Sequence, residues 1–557
     1  MEKCQKQPRS SGARWCGAAA AAVLLMACGG GGSGSAPAAY TVAYNGNGAT
    51  GGSAPVDSGS YKQGATVTVL GNTGSLVKTG SSFTSWNTLA DGTGTSYTAG
   101  QTCTMGSANL TFYAKWTANA TAGNVLYDGN GATSGSVPVD GTVYGTGQNV
   151  TVLGNPGNLA YPGYTFIGWQ TTADGSGQAY KQNQTFPKPS ANVTLYALWA
   201  GGFAYSANNQ GGSGGSISQY TIGPNGALTP MTTPSVATGG NDPRDITADP
   251  SGKYIYATNI TSETVSQFTV GADGALTAMA TPTLLVGDTS GGKLYYPMGI
   301  TVHPTGKYAY LVNNQMGTIN LYAVGADGSL TAMASPTVRA GGYPVAIAVD
   351  PSGKWAYVPT GDGNNVAQFT IDGTTGALTP MAAATVATGS NAYDIKLTPN
   401  GKYAYVANYF SAFISQYDVD AGTGALTPMT VPTAAIPSSG TGAASIVVDP
   451  SGRFAYAVVF ISQVTPAAIV AQYTIDPTTG ALTAMATPTV AAGGAGGAVI
   501  TVESSGKYAY VTSGDTGWGS TSIAQYSIDP TTGALTLLTH PTVQAGYSPT
   551  GIVTIGK

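Results

Sequence analysis

The chain has 557 residues, of which 81 are Gly and 33 are Tyr, and only 8% are charged, leaving a formal net charge of −4. A composition this poor in charge and rich in Gly favours strands and turns over helices, and a length well beyond roughly 200 residues calls for several domains. With neither a basic cluster nor an acidic block, the charge pattern excludes nucleic acid as an expected partner and offers nothing to an anionic membrane surface.

At the N-terminus, Lys3, Lys6, Arg9 and Arg14 precede the apolar stretch Ala18 to Ala27. That stretch is too short to span a bilayer, so residues 1–27 read as an export signal that is removed rather than folded. Its end, Leu25-Met26-Ala27-Cys28, resembles the lipobox of bacterial lipoproteins, which implies cleavage before Cys28 and lipid attached to its thiol. Residues 28–39 are rich in Gly and Ser and suit a flexible tether. Gly29 stands where an Asp often retains lipoproteins at the inner membrane, so the expected location is the cell envelope, at the outer membrane or cell surface. Cys4 and Cys16 leave with the signal and Cys28 is acylated, which leaves Cys103 alone and no disulfide framework.

Two copies of one small domain follow, at 40–116 and 124–199, joined by 117–123. Tyr44-Asn45-Gly46-Asn47-Gly48-Ala49-Thr50 returns as Tyr127-Asp128-Gly129-Asn130-Gly131-Ala132-Thr133, and Phe83 and Trp86 return as Phe166 and Trp169. Alternating apolar residues in Phe112 to Trp116 and in Leu195 to Trp199 mark closing strands. These phrases resemble the Listeria–Bacteroides repeat, or internalin B-repeat, a small β-rich module similar to the β-grasp fold and found on cell-surface proteins. Trp86, Trp116, Trp169 and Trp199 are expected in the cores rather than on sugar-stacking surfaces. Cys103 aligns with Phe186, so an apolar environment is expected there.

From about residue 201 to Lys557 a longer repeat takes over. Its clearest phrase is Asp249-Pro250-Ser251-Gly252-Lys253-Tyr254, with relatives beginning at His303, Asp350, Thr398, Asp449 and Glu503. Asp, Pro and Gly in these positions suit a type I turn, and the Tyr-x-Tyr alternation that follows suits a strand. A second phrase, Gly-Ala-Leu-Thr or a close variant, occurs at Gly226, Gly274, Gly328, Gly376, Gly424, Gly480 and Gly533. Seven hairpins imply seven blades. The seventh copy of the first phrase is divided between Phe203 to Asn208 and Gly551 to Lys557, which is what ring closure requires if the last strand completes the first blade. The pattern, with Tyr405-Val406-Ala407-Asn408 and Tyr510-Val511-Thr512-Ser513, resembles the seven-bladed propeller family of lactonase-like and Tyr-Val-Thr-Asn repeat proteins. The expected fold is therefore all-β, a seven-bladed β-propeller behind two small β-rich repeats.

In such a ring the two repeated turns share one face and the variable connections share the other. Variable loops on a rigid scaffold carry binding residues, and the ligand-binding candidates here are Asp242, Arg244, Asp245, Tyr296, Asn314, Tyr343, Tyr393, Asp394, Tyr409 and Tyr547. The competing explanation for several of them is that Asn, Asp and Gly simply suit tight turns. The lactonase resemblance implies sugar-lactone hydrolysis in some relatives. Such chemistry needs a general base and charged partners for an oxyanion, for which the candidates are Arg244, Glu263 and Asp394. His303 belongs to a repeated turn and His540 to an outer strand, so neither is expected at the channel mouth. No cofactor is expected, and no residues have metal-ligand spacing.

The leading functional expectation is a lipid-anchored envelope module for binding or adhesion, its variable face recognising a polysaccharide or protein partner. A lactonase-like hydrolase is the alternative, and a purely architectural envelope protein the second. The channel mouth discriminates among them: an enzyme gathers Arg244, Glu263 and Asp394 into a pocket, whereas an adhesin spreads aromatic and amide groups over a broad rim.

Overall fold

The computed structural model describes residues 38–79, 81–118, 123–211, 214–287, 295–437, 442–461, 467–495, 499–514 and 521–556. The stretch expected to be an export signal, and Cys28, lie outside them. The described residues form strands and turns without a helix, so none of them supplies a helix long and apolar enough to cross a membrane. The chain divides into two compact units. One holds the first repeat together with residues 140–151 and 185–193; the other holds 127–139, 152–184 and everything from Thr194 onward.

In the first repeat, Val42–Asn45 runs parallel to Leu110–Ala118, which pairs on its other side with Ser81–Asn87. The second repeat builds its sheet in the same order. Trp86 and Trp169 are fully buried, and each indole donates a 2.9 Å hydrogen bond to the backbone, at Leu70 and Leu153 respectively. A buried indole needs such a partner, which explains why the position holds Trp in both copies. Trp199 is likewise buried, whereas Trp116 is partly buried against its core. Cys103 sits opposite Val67 as Phe186 sits opposite Val150, and both are buried.

From Gly202 the described residues form seven antiparallel four-stranded sheets. Blade 1 comprises, from the inside outward, Pro549–Gly556, Gly202–Asn209, Gly215–Ile222 and Leu228–Ala237. Blades 2 to 7 follow in chain order, with inner strands Pro243–Ala248, Pro297–Val302, Ala348–Val349, Ala392–Leu397, Gly442–Val448 and Ile500–Val502. The last strand of the chain thus closes the ring on the first, with Gly202 paired to Gly556 and Asn208 to Pro549. Gly202 is required at this closure because a Cβ there would lie 2.3 Å from the carbonyl oxygen of Ile555.

The repeated phrases are explained by bonds within and between blades. In the turn, Asp249 accepts backbone N–H groups from Ser251, Lys253 and Tyr254 at 2.7–2.9 Å, and Gly252 completes the reversal with a φ of +69°. In each second strand the Tyr that follows two residues after a Tyr, Phe or Trp donates its buried hydroxyl to the Gly carbonyl of the next blade's Gly-Ala-Leu or Gly-Ser-Leu turn. The seven bonds run Tyr205–Gly274, Tyr256–Gly328, Tyr310–Gly376, Tyr357–Gly424, Tyr405–Gly480, Tyr456–Gly533 and Tyr510–Gly226, at 2.5–2.9 Å. Burial pushes these phenols far above their usual titration range, so they stay neutral donors.

A glutamine in the third strand adds a second link. Gln472, for example, accepts the Leu535 N–H of the next blade at 2.7 Å while its amide donates to Thr487 O at 2.8 Å, where the outer strand bulges. Gln219, Gln267, Gln368, Gln416 and Gln525 repeat this pattern, and in blade 3 the position holds Leu321. Gln525 and Tyr510 both reach blade 1, so ring closure is sealed by side chains as well as by strand pairing.

Candidate functional site

Each inner strand carries, or in blade 4 is immediately preceded by, a buried Ile: Ile246, Ile300, Ile347, Ile395, Ile446, Ile500 and Ile552. The residue before each Ile is small or apolar in five blades (Gly299, Ala346, Ser445, Val499 and Gly551) and is a carboxylate in the other two, Asp245 and Asp394. A sevenfold ring with two departures from its own pattern marks those blades as special. The residues beside them depart as well: Arg244 precedes Asp245, while Tyr393 and Lys396 flank Asp394. All five line one cavity of about 410 Å³ along the propeller axis, whose walls are otherwise formed largely by Ile, Val, Ala and Thr from the inner strands.

The two carboxylates are held alike but differ in charge environment. Asp245 accepts the N–H of Ile246 at 2.9 Å and that of Ile300, in the next blade, at 2.9 Å. Asp394 accepts the N–H groups of Ile395 at 2.9 Å and Ile446 at 3.0 Å, the Ser445 hydroxyl at 3.2 Å, and the Lys396 ammonium at 2.6 Å. Burial pushes the Asp245 carboxyl up to about 6, against the lowering effect of its two backbone donors and of Lys396; the neighbouring Asp394 charge pushes the same way as burial. Across the cavity, Arg244 donates a hydrogen bond to the Tyr393 hydroxyl, and its guanidinium lies 6.0 Å from that ring's centre. Tyr393 continues into an aromatic wall, with Tyr409 at 5.1 Å, and Tyr409 in turn 5.0 Å from Phe410 and 5.5 Å from Phe460.

Of the residues singled out in the sequence, Arg244, Asp245, Tyr393 and Asp394 therefore meet in the cavity. Glu263 does not. It occupies a turn with a φ of +54°, where Oε1 accepts the Tyr295 N–H at 3.2 Å, so the expected grouping of Arg244, Glu263 and Asp394 is corrected to Arg244, Asp245 and Asp394. Asp242, Tyr296 and Tyr343 share one structural position, the residue before the Pro that leads toward an inner strand, with φ of +55°, +49° and +49°; Asn391 and Ser548 have the same left-handed backbone just before the inner strands of other blades. Asp242 accepts the Thr261 hydroxyl and suits this left-handed turn, whereas two tyrosines there are costly for the backbone. Asn314 bonds its amide to Pro344 O at 3.2 Å, and Tyr343 and Tyr547 are exposed. None of Asp242, Tyr296, Asn314, Tyr343, Tyr409 and Tyr547 lines the axial cavity.

Lys396 was missed in the sequence, although aligning the seven inner strands on their Ile exposes it as the one cation after that Ile. His303 bonds Thr305 and the Gly353 carbonyl in the repeated turns, and His540 pairs with Asp174 at 2.6 Å, both away from the channel as expected. Among the described residues, no group of three His, Cys, Asp or Glu side chains is placed to hold a metal ion.

Seven four-stranded blades around a polar-centred channel define a seven-bladed propeller with a candidate ligand site on its axis. The chain belongs to the lactonase, 7-bladed β-propeller family, whose model matches residues 215–392 and 365–548 and so covers more than half of it. Residues 40–115 and 124–198 match the Listeria–Bacteroides repeat domain. The periplasmic gluconolactonase of Pseudomonas aeruginosa is similar in fold at 17% identity and a TM-score of 0.51, covering 64% of this chain and 99% of that one. A Bacteroides fragilis protein described as a candidate 6-phosphogluconolactonase is similar at 19% identity and a TM-score of 0.50, over 64% and 98% of the two chains. At these identities the likeness is one of fold. Two proteins of Evansella cellulosilytica, described as candidate membrane proteins, one of them Gly-rich, are 35% and 38% identical over 180 and 125 residues, and the chain spans 20% and 16% of their lengths.

Proposed function

We propose that the propeller hydrolyses a small cyclic ester of the sugar-lactone type in its axial cavity. The observation that carries this reading is the Asp245 carboxyl, raised to about 6 by burial and sharing a cavity with Arg244 and Tyr393. A carboxylate poised near neutral pH suits a general base, and a guanidinium in a low-dielectric cavity suits a developing oxyanion. In the proposed sequence Asp245 takes a proton from water as the oxygen adds to the lactone carbonyl, and Arg244 stabilises the resulting oxyanion. The ring C–O bond then breaks, and the protonated Asp245 returns the proton to the leaving alkoxide. The products are the carboxylate of the open-chain hydroxy acid and a proton released to solvent. Asp394, engaged by two backbone donors, Ser445 and Lys396, is a positioning residue that sets the field around Asp245. Membership of the lactonase family supports this reading over adhesion, and the exported, envelope-bound location expected from Leu25 to Cys28 agrees with the names of the Evansella relatives.

The test is turnover of a panel of aldonolactones by the full chain. Asp245→Asn is expected to lower kcat by at least about a hundredfold, the low end of what a positioned base contributes, and the wild-type rate should rise with pH around 6. Absence of turnover across the panel, or Asp245→Asn with wild-type kcat, refutes the proposal.

A further inference from the structure

Within the second compact unit, a pocket of about 210 Å³ lies where the second repeat meets the hairpin turn of blade 1. Its two sides are tied together. Thr229 donates to Gly175 O at 2.7 Å, the Asn225 amide donates to Asp174 O at 3.2 Å, and Asp174 pairs with His540. Into this pocket faces Gln170, 2% exposed, whose side-chain carbonyl has no hydrogen-bond partner among the described residues.

The first repeat shows that this is no requirement of the fold. Its equivalent, Asn87, is fully engaged: the amide donates to Gly92 O, Gly94 O and the Ser96 hydroxyl, and the carbonyl accepts the Leu89 N–H at 2.9 Å. The added methylene of Gln170 carries its carbonyl out of that network and toward the pocket. A buried acceptor left unpaired loses its hydration without return, so the arrangement calls for a donor from outside the chain.

The walls define which donor. Asp174 is the one Asp, Glu, Lys, Arg or His among the described residues lining the pocket, and it is already committed, Oδ2 to His540 and Oδ1 to the backbone and hydroxyl of Ser176. A neutral ligand therefore fits better than an ion. Tyr161, partly buried and edge-on to Trp199 at 5.8 Å, supplies an aromatic surface, and Asn225 and Thr229 supply amide and hydroxyl groups. The space corresponds to roughly seven waters at about 30 Å³ each.

We propose that this pocket is a subsite for one neutral sugar residue, with a sugar hydroxyl donating to Gln170 Oε1 and the apolar face of the ring resting on Tyr161. The site is separate from the axial cavity and does not depend on its chemistry. The experiment is calorimetric titration of the full chain with the methyl glycosides of glucose, galactose, mannose and N-acetylglucosamine, beside Gln170→Asn, Tyr161→Ala and Asp245→Asn. Gln170→Asn reproduces the paired residue of the first repeat, so it is expected to melt no lower than wild type while binding at least about tenfold more weakly. Tyr161→Ala should weaken binding similarly, and Asp245→Asn should leave it unchanged. The proposal is overturned if none of the four glycosides binds saturably, which leaves ordered water as the occupant. It is equally overturned if Gln170→Asn binds as wild type does, or if Asp245→Asn abolishes binding and so moves the site to the channel.

Discussion

Replacing Asp245 by Asn separates the cost of holding a carboxylate in the channel from its use. In the unfolded chain this carboxyl titrates near 3.8, and in the folded chain at about 6. Between those values the folded state binds more protons, so the group's favourable contribution is complete below 3.8 and is lost as pH rises through 6. The difference is worth about 3 kcal/mol at 1.36 kcal/mol per pH unit. Asn keeps a carbonyl for the Ile300 N–H but cannot also accept from Ile246, a loss of about 1 kcal/mol at every pH. Urea unfolding of both chains at pH 3.5, 5 and 7.5 should then find the variant about 1 kcal/mol less stable at the lowest pH and about 2 kcal/mol more stable at the highest. Groups that titrate identically in both chains cancel in the difference. A stability difference that does not move with pH, or that moves against the variant as pH rises, refutes the assignment of Asp245 as a carboxyl held against its desolvation.

Other expectations follow from the same geometry. Asp394→Ala strands the N–H groups of Ile395 and Ile446 and leaves Lys396 without its carboxylate, so it should cost about 2–4 kcal/mol in urea unfolding, well above a surface substitution. Gln472→Leu copies the residue that blade 3 already tolerates at Leu321; it removes two hydrogen bonds and should cost about 1–2 kcal/mol, with strand content by circular dichroism unchanged. Gly202→Ala drives a Cβ into the Ile555 carbonyl at the ring closure and should loosen the joining strand, seen as faster amide exchange across Pro549–Gly556 than elsewhere in the inner strands. Arg244→Ala, which removes the bond to Tyr393 and the charge above the cavity, should lower lactone kcat more than it raises KM if the guanidinium acts on the oxyanion.

The aspartates of blades 2 and 5 illustrate why a site can be sparing in charge. Each carboxylate spans two inner strands through backbone donors, so each is at once a staple of the ring and a member of the cavity. What distinguishes them is their company: Lys396 neutralises Asp394 directly, while Asp245 has backbone donors and a more distant cation. In the proposed hydrolysis that asymmetry assigns the base to Asp245 and the supporting role to Asp394.

The sequence by itself determined the architecture. Seven Gly-Ala-Leu phrases or close variants, six full copies of the Gly-Lys or Gly-Arg turn, five of them with Pro, and one divided copy specify seven blades and their closure, because short-range turn chemistry and period-two strands recur at fixed spacing. It also contained the two N-terminal repeats, the core role of Trp86 and Trp169, and the apolar environment of Cys103, since a residue type repeated at the same register answers to the same packing. The site was only partly legible. Arg244, Asp245, Tyr393 and Asp394 were visible only as candidates among the loops of the variable face. The tertiary structure decided that these four meet, that Lys396 joins them, and that Glu263 turns aside to hold a loop. The reason is physical: residues about 150 positions apart become neighbours only once the ring closes, and the left-handed backbone that claims Asp242, Tyr296 and Tyr343 recurs at Asn391 and Ser548, so it belongs to the connection between blades rather than to the residues that occupy it.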